Sequence, residues 1–416
     1  MTVTSRTNGA LFTRPMKKTH TIFLTNMLHY HNALLQAAFE AGGYHLEIMT
    51  EDDNLYMDAL PYISSDYCFP AVQIIGQMLR IVKGGHYPKD RIAFIEPQAG
   101  SACRSDQVYN LMIRALHNAG FDDIPVLSLN ALGKEPQPGF RIGVKMLFPL
   151  LSAVLYGDLL MTLYQQVAPY EETPGEAKKC ADKWIRILSA EISSGKNLDA
   201  ASRKNHYQEV VHDFMQIPVA EKNLPKVGIT GEIFSKFSPA GNMRLEQFLQ
   251  EEQCAYRMIG FTSYMLFSIH SSMTEHELRK GNALKTIGYE YLLRYLERRQ
   301  REMNTCIRNS NRFLPDPDFQ DMIRLAEGIG GKSCITGDGW HVASEAAALL
   351  EDGYDAILIT HPFGCLVSHV SERGIIRKLK ERYPDKSIVS LEYDYGTTPA
   401  LQKSRILMAI GKRCII

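Results

Sequence analysis

The chain has 416 residues, which is enough for two or three domains of about 150 residues each. Hydrophobic residues make up 45% and charged residues 22% of the sequence, and this balance excludes a disordered protein, a collagen-like fibre and a coiled-coil rod. Lysine plus arginine equals aspartate plus glutamate at 46 each, so the chain lacks the basic surplus that is typical of nucleic-acid-binding proteins. Eight cysteines are too few for a disulfide scaffold in a chain of this length.

Neither the N-terminal segment nor the most apolar stretch of the sequence predicts a membrane protein. Residues 1–18 are polar, lack the apolar core of a signal peptide and are predicted to form a flexible tail. The most apolar stretch, Met146–Tyr164, contains Pro149, Gly157 and Asp158, and a charge near the middle of a membrane span is costly. We therefore predict a buried helix pair there, and a soluble cytoplasmic protein whose cysteines stay reduced.

In the first 140 residues, β-rich segments alternate with helical ones. The predicted strands are Thr19–Asn26, Tyr44–Met49, Arg91–Glu96 and Pro125–Asn130, and the predicted helices are His31–Ala41, Pro70–Val82 and Asp106–Asn118. Such alternation is typical of a parallel sheet with helices on both faces. We assign residues 19–139 to a first α/β lobe.

Helical periodicity replaces the strand pattern over residues 140–222, and the α/β alternation then returns in residues 223–416. The later strands are predicted at Lys226–Gly231, Asp355–Thr360 and Ser387–Tyr393, with helices near Met243–Glu252, His341–Glu351, Val367–Arg382 and Thr398–Ile410 and a helical insertion at about 263–325. The predicted fold class is therefore α/β, with two Rossmann-like lobes that contain parallel sheets and are joined by a helical segment.

Three cysteines fall in loops at the expected ligand-binding edge of these sheets, beyond the carboxyl ends of strands. Cys103 follows the strand RIAFIE, Cys365 follows DAILIT, and Cys68 directly precedes a helix. A helix N-terminus lowers the pKa of a thiol, and small neighbours such as Gly100 and Gly364 let backbone amides approach a bound group. If the lobes face each other, three thiolates would meet in the interlobe cleft and would suit a [4Fe-4S] cluster with one open iron.

The alternative is that each of these cysteines is a small buried hydrophobic residue, as most free cysteines are. No CxxC spacing favours a cluster. The remaining cysteines are predicted to be structural (Cys180, Cys254, Cys306 and Cys414), except that Cys334 lies in a loop and is a candidate fourth ligand.

Three further patterns have an ordinary structural interpretation beside a functional one. Ala326–Ser333 (AEGIGGKS) fits a loose phosphate-loop pattern, but a predicted helix precedes it where a strand is needed, which favours a plain connection. His369, four residues after Cys365, could ligate a metal or could satisfy a backbone carbonyl. Tyr289–Arg301 is predicted to be an amphipathic helix that faces solvent or a dimer partner.

Several segments carry a resemblance to a known family, namely SSDYCFPAVQIIGQ, QAGSACRSDQ, YGDLLMTLYQQVAPYE, GITGEIFSKFSPAGN, GDGWHVASE and HPFGCLVSHV. They resemble the acyl-CoA dehydratase activase-related proteins of the 2-hydroxyacyl-CoA dehydratase and benzoyl-CoA reductase superfamily, which includes the double-cubane cluster proteins. The resemblance runs from about Thr19 to Lys412. It implies two Rossmann-like lobes that hold an iron–sulfur cluster, [4Fe-4S] or double-cubane [8Fe-9S], through Cys68, Cys103 and Cys365.

The resemblance also implies an activity and a partner. Members of the superfamily accept low-potential electrons from an ATP-dependent activator with an actin-like fold, and no such domain is recognisable in this sequence, so the activator would act in trans. Dehydratase members form a ketyl radical from a 2-hydroxyacyl-CoA, whereas double-cubane members reduce small molecules. We therefore predict an iron–sulfur reductase or dehydratase of a small substrate, with an acyl-CoA as one candidate, acting as a dimer without nucleic acid or membrane partners.

For this activity, Arg104 and His369 are the predicted catalytic residues, which would supply a positive charge and a proton near the cluster. The sequence departs from the family where Leu366-Val367-Ser368 follow PFGC in place of a proline and an asparagine, and it shows no CoA-binding signature. Two alternatives remain open: a non-enzymatic iron–sulfur electron carrier or cluster scaffold, and a metal-free two-lobed binding protein.

Overall fold

The computed structural model of the chain describes residues 9–50, 52, 54–97, 103, 107–129, 137–278, 283–331 and 333–411. In this part of the chain two four-stranded sheets form, and every strand in each sheet is parallel to its neighbours. The predicted α/β class with two Rossmann-like lobes is confirmed.

The first lobe has the strand order β2-β1-β3-β4. Its elements are β1 (Thr21–Leu24), α1 (Asn32–Ala41), β2 (His45–Ile48), α2 (Tyr56–Ala59), α3 (Phe69–Gly84), β3 (Ile92–Pro97), α4 (Val108–Asn118) and β4 (Val126–Leu129). Because the chain places β2 on one side of β1 and β3 on the other, the strand order reverses between β1 and β3. Each strand and each long helix lies within two or three residues of its predicted position, and only the single turn α2 is additional.

Three helices, α5 (Val144–Val167), α6 (Glu176–Ser194) and α7 (Ala200–Met215), follow the first sheet. The predicted helix pair within Met146–Tyr164 is wrong, because α5 is one continuous helix. Pro149 lies in its second turn, where it removes one backbone hydrogen bond without ending the helix. Among the described residues, α5 is the one helix long and apolar enough to cross a membrane, and most of it is buried in the protein.

Asp158 explains the charge in the middle of this apolar helix. Its carboxylate accepts hydrogen bonds from the backbone amides of Phe261 and Thr262 at 2.8 and 2.7 Å, and it bonds the imidazole of His31 at 2.9 Å. Gly157 beside it is required by space, since a Cβ there would lie 2.1 Å from the His31 ring. The charge therefore satisfies the first amides of a neighbouring helix and joins the two lobes through α5.

The second lobe has the strand order β6-β5-β7-β8 and reverses between β5 and β7. Its elements are β5 (Lys226–Gly231), α8 (Ile233–Phe237), α9 (Leu245–Glu251), β6 (Ala255–Met258), α10 (Phe261–Leu278), α11 (Ala283–Arg308), α12 (Phe319–Ala326), α13 (His341–Glu351), β7 (Ala356–Pro362), a π-helical turn (Ser368–Glu372), α14 (Arg373–Arg382), β8 (Ser387–Tyr393) and α15 (Pro399–Ala409). The predicted helical insertion corresponds to α10, α11 and α12. The π-helical turn was not predicted.

The buried apolar side chains form three groups that follow the layers of the fold. One group joins a face of each sheet through α1, α5, α6 and α7, and so forms a core shared by both lobes. The other two groups fill the outer faces, between the second sheet and α10 to α14 and between the first sheet and α2 to α4. Phe234 of α8 belongs to the outer group of the first lobe, so the lobes also pack where their loops meet.

Candidate functional site

The carboxyl ends of the two sheets meet in one interlobe region. The Ser238 hydroxyl donates to the carbonyl of Asn26 at 3.2 Å, which joins the segment after α8 to the loop after β1. The amide of Phe69, the first residue of α3, donates to the carbonyl of Phe363 at 3.4 Å, which joins the loops that carry Cys68 and Cys365. In open α/β sheets a ligand binds beyond the carboxyl ends where the strand order reverses, and here both such points face the same cleft.

Cys365 is buried directly before a helical turn that begins at Leu366. Its Sγ accepts a hydrogen bond from the Ser368 hydroxyl at 3.0 Å and a weaker one from the Ser368 amide at 3.4 Å. The sulfur thus occupies the place of an N-cap side chain, where helix amides favour negative charge. Burial and the nearby Glu232 carboxylate act in the opposite direction and raise the pKa of the Cys365 thiol far above its usual value. Ionisation of this thiol in place therefore needs a positive group, such as a metal.

Cys68 is the N-cap residue of α3 and is half-buried. Gly364 lies against its backbone, since a Cβ at position 364 would be 3.7 Å from the Cα of Cys68. Gly364 has φ +75°, a left-handed conformation that favours glycine. The structure therefore brings together three of the predicted site residues, Cys68, Gly364 and Cys365, from opposite lobes.

Cys103 is half-buried and lies in the loop between β3 and α4, at the carboxyl edge of the first sheet. Gly100 and Arg104, which were also predicted as site residues, lie outside the described residues. Since the loop begins where the strand order of the first lobe reverses, Cys103 belongs to the cleft edge by topology.

His369 is half-exposed, and its Nδ1 lies 2.7 Å from the carbonyl oxygen of Cys365. Because a carbonyl only accepts, Nδ1 carries the proton, and Nε2 faces the Glu392 carboxylate at 3.7 Å. The histidine therefore satisfies a backbone carbonyl, which is one of its two predicted roles, and its Nε2 lies beside the Glu392 carboxylate.

A group of four carboxyl side chains, here named the acidic cluster, lies beneath Cys365 at the carboxyl ends of β5 and β7. Its members are Glu232, Asp338, Glu345 and Glu372. Glu345 is fully buried and accepts from the Lys236 ammonium at 2.5 Å and from the Thr230 hydroxyl at 2.6 Å.

Burial lowers the pKa of His341 to about 4, so this imidazole adds no positive charge to the acidic cluster near neutral pH. The Lys236 ammonium is therefore the one cation that the described residues place within the acidic cluster. One ammonium cannot balance four carboxylates of which three, Asp338, Glu345 and Glu372, are buried.

For two members of the acidic cluster, burial favours the protonated form. Burial and the neighbouring Glu232 and Glu345 carboxylates raise the pKa of Asp338 well above its usual value. Burial likewise raises the pKa of Glu372, with the Asp338 carboxylate as the next cause. Glu372 has no exposed surface, and among the described residues neither of its oxygens has a hydrogen-bond partner of normal geometry. It ends the π-helical turn that begins at Ser368, and such turns occur frequently at functional sites.

The first lobe also has polar groups at its reversal point. Leu24, the last residue of β1, pairs with Ile95 of β3, so Thr25 follows the end of β1 beside Glu96, which still pairs with Ser128 of β4. The Thr25 hydroxyl donates to the Gln77 amide oxygen at 3.0 Å. In the described part of the chain, the Gln77 amide nitrogen and one Glu96 oxygen are buried without a partner. Unpartnered buried polar atoms are costly unless a ligand or water binds them, and here they face a ligand-binding edge.

Glu96→Gln should change the pH dependence of stability. Burial raises the pKa of Glu96 to about 8, from 4.5. The unfolded chain therefore releases this proton near pH 4.5 while the folded chain keeps it, so the free energy of unfolding falls as pH rises towards 8, by up to about 1.4 kcal/mol per pH unit. In urea denaturation at several pH values, the variant should gain stability relative to the native protein as pH rises. A difference that stays constant from about pH 5.5 to pH 7.5 would contradict this assignment.

The remaining described cysteines lie away from the cleft edge or in apolar surroundings. Cys180 and Cys306 lie within α6 and α11, as predicted, and burial raises the pKa of both thiols, that of Cys180 to about 11. Cys254 is fully buried before β6. Cys334 is half-buried in the loop before α13, and Cys414 lies outside the described residues.

An open groove of about 570 Å³ lies on the first lobe, between the segment that precedes Cys68 and the start of α4. Tyr67, the neighbour of Cys68 in the chain, lines it together with Gln107, Asn110 and Arg114, which give it a mostly polar wall. This volume lies within the range of about 300–1,000 Å³ that is typical of small-molecule sites. By contrast, Ala326 is the last residue of α12, and the described residues that follow it, 327–331 and 333, form turns and irregular backbone, so a helix precedes this segment where a phosphate loop needs a strand.

Comparison with known proteins gives no relative: no protein family matches the chain, and neither does any curated protein. Within the described residues, no three histidine, cysteine or carboxylate side chains are close enough to hold one metal ion. A cubane cluster spaces its ligands more widely than a single ion does, so the absence of a single-ion site does not bear on Cys68, Cys103 and Cys365 as cluster ligands. The sequence analysis missed the acidic cluster, although Glu372 precedes the buried Ile375 and Leu379 at helical spacing and so falls on the buried face of α14.

Proposed function

We propose that the protein is a cytoplasmic iron–sulfur protein of the kind that the sequence resembles, in which Cys68, Cys103 and Cys365 hold a [4Fe-4S] or double-cubane cluster in the interlobe cleft. The observation that carries the proposal is the contact between the Cys68 and Cys365 loops across the two lobes. Each lobe places one cysteine at the start of a helix, and these two helix starts come together across the cleft. A shared ligand explains this arrangement better than the packing of either lobe does. Such a cluster supplies low-potential electrons one at a time.

The donor groups around the cleft fit this cofactor. The Ser368 amide and hydroxyl already donate to the Cys365 sulfur, and hydrogen bonds to cluster sulfurs tune the reduction potential. Small Gly364 leaves room beside Cys68. The burial that disfavours a bare Cys365 thiolate would be offset by iron, which binds the deprotonated sulfur.

The residues of the second lobe would manage protons for a reduction or a dehydration. Burial raises the pKa values of Glu372 and Asp338 and so favours their protonated forms, which would donate a proton towards the cleft when negative charge develops there. His369, which is half-exposed and has its Nε2 3.7 Å from the Glu392 carboxylate, would connect this region with solvent. These roles would suit the predicted reductase or dehydratase, which would receive electrons from an ATP-dependent activator in trans, with an acyl-CoA as the candidate substrate.

The groove beside Tyr67 and Gln107 favours the enzymatic proposal over the alternative of an electron carrier or cluster scaffold. A carrier needs only an exposed edge near its cluster, whereas an enzyme also needs space for a substrate. Close to Cys365 in the chain, the exposed apolar side chains of Phe363, Leu366 and Val370 would offer a docking surface for the electron donor.

The test is reduction of anaerobically purified protein by a low-potential chemical reductant, followed by electron paramagnetic resonance at low temperature. The proposal predicts an iron–sulfur signal that appears on reduction. Its oxidation by candidate small acceptors, added one at a time, would distinguish an enzyme from a carrier. Protein that remains free of any such signal would exclude both roles.

A further inference from the structure

A second polar groove, here named the basic groove, crosses the outer edge of the second lobe. It runs over β8, the edge strand of its sheet, between α14 and α15, and has a volume of about 760 Å³. Four cationic side chains and one acidic side chain line it, together with an isoleucine and a serine: Arg373, Arg377, Lys380, Arg405, Glu381, Ile376 and Ser390. The whole chain has no net charge, so this concentration of positive charge is local.

The cationic side chains come from two different helices. Arg373, Arg377 and Lys380 recur at helical spacing on one face of α14, and Arg405 reaches the groove from α15. Arg377 pairs with Glu381 at 2.8 Å within the same helix. Among the described residues, Lys380 and Arg405 have no ion-pair partner, so the groove offers uncompensated positive charge to a ligand.

Arg373 connects the groove to the interlobe cleft. It pairs with Glu392, whose carboxylate lies 3.7 Å from Nε2 of His369. A bound anion would compete with Glu392 for Arg373 and would release that carboxylate towards His369. A ligand in the basic groove would therefore change the charge beside the helical turn that follows Cys365.

We propose that the basic groove binds the diphosphate of a small nucleotide of the nucleoside-diphosphate class. Guanidinium groups bind phosphate oxygens in pairs, and an ammonium adds a point charge. Lys380 and Arg405, which have no ion-pair partner among the described residues, would provide one cation for each phosphate of a diphosphate. Ile376 supplies an apolar surface for a base, and the volume exceeds what a bare phosphate needs. The proposal does not depend on an iron–sulfur cluster.

The test is calorimetric titration of the iron-free protein with ADP, pyrophosphate and adenosine at low salt. ADP should bind more tightly than pyrophosphate, and adenosine alone should bind more weakly than either. Replacing Arg377, Lys380 and Arg405 together by glutamine should weaken ADP binding at least tenfold. These side chains are exposed, so circular dichroism should show an unchanged fold.

A matched control replaces three exposed arginines of α11, Arg294, Arg298 and Arg301, by glutamine and should leave ADP binding unchanged. An equal loss in both triple variants would reduce the effect to overall charge and overturn the proposal. So would the absence of ADP binding at millimolar concentration, or binding of an acidic peptide but not of ADP. Pyrophosphate binding as tight as that of ADP would overturn the nucleoside assignment. None of these outcomes affects the iron content, so the two proposals fail separately.

Discussion

Serine in place of Cys68, Cys103 or Cys365 should each reduce the iron bound by anaerobically purified protein, by roughly half or more, because a hydroxyl is a much poorer iron ligand than a thiolate. Cys365→Ser should have the largest effect. Its sulfur is the one that the Ser368 amide and hydroxyl already position, so the lost ligand is the most ordered of the three.

Cys180→Ser and Cys306→Ser are the matched controls for this series. Both thiols lie within long helices of the same molecule, and burial raises the pKa of each, so neither favours the thiolate that iron needs. Iron and acid-labile sulfide measured per chain should therefore match the native protein in both controls. The same iron content in all five variants would refute the assignment of the ligands.

Lys236→Met should lower the free energy of unfolding by about 3–5 kcal/mol, the cost of leaving one partner of a buried ion pair unpaired. The Lys236 ammonium is buried, donates to Glu345 at 2.5 Å and also donates to the carbonyl of Ile259 at 2.7 Å. Without it, Glu345 would have to bind a proton, and the acidic cluster would lose its ammonium. Urea denaturation followed by circular dichroism measures the effect.

The double variant Lys236→Met with Glu345→Gln distinguishes the cost of an unpaired Glu345 carboxylate from the cost of losing the Lys236 side chain itself. Glutamine can still accept from the Thr230 hydroxyl and needs no cation, so the double variant should be more stable than Lys236→Met alone. Lys178→Met is a control on an exposed pair with Asp182, and it should cost less than about 0.5 kcal/mol. An effect of Lys236→Met as small as that of the control would show that the pair is solvated.

Most of the fold could be predicted because its pattern is local. Strands such as Ser387–Tyr393 and helices such as His341–Glu351 have the predicted limits, since apolar periodicity and turn residues act over a few neighbours. The predicted helix pair in Met146–Tyr164 is wrong because Pro149, Gly157 and Asp158 all lie within one continuous helix, in which Asp158 is satisfied by contacts that the local sequence does not show. The π-helical turn has no local pattern that distinguishes it from an α-helix.

The candidate site was predictable in part for the same reason. Loop position pointed to Cys68, Cys103 and Cys365 before any contact between lobes was known, because parallel strands place their following loops at one edge. The acidic cluster could not be assembled from the sequence, since Asp338 and Glu372 are brought together only by packing of the loop before α13 against the Cys365 helix. Gly337 marks that packing, with a Cβ position 2.7 Å from the Val367 side chain.

The most direct test of the central claim is the iron and acid-labile sulfide content of the native chain purified without oxygen. About four irons and four sulfides per chain would establish a single cubane, and about twice as much iron would establish a double cubane. We expect one of these two values. Folded protein without iron, after purification and reconstitution under the same conditions, would contradict the cluster and with it the proposed function.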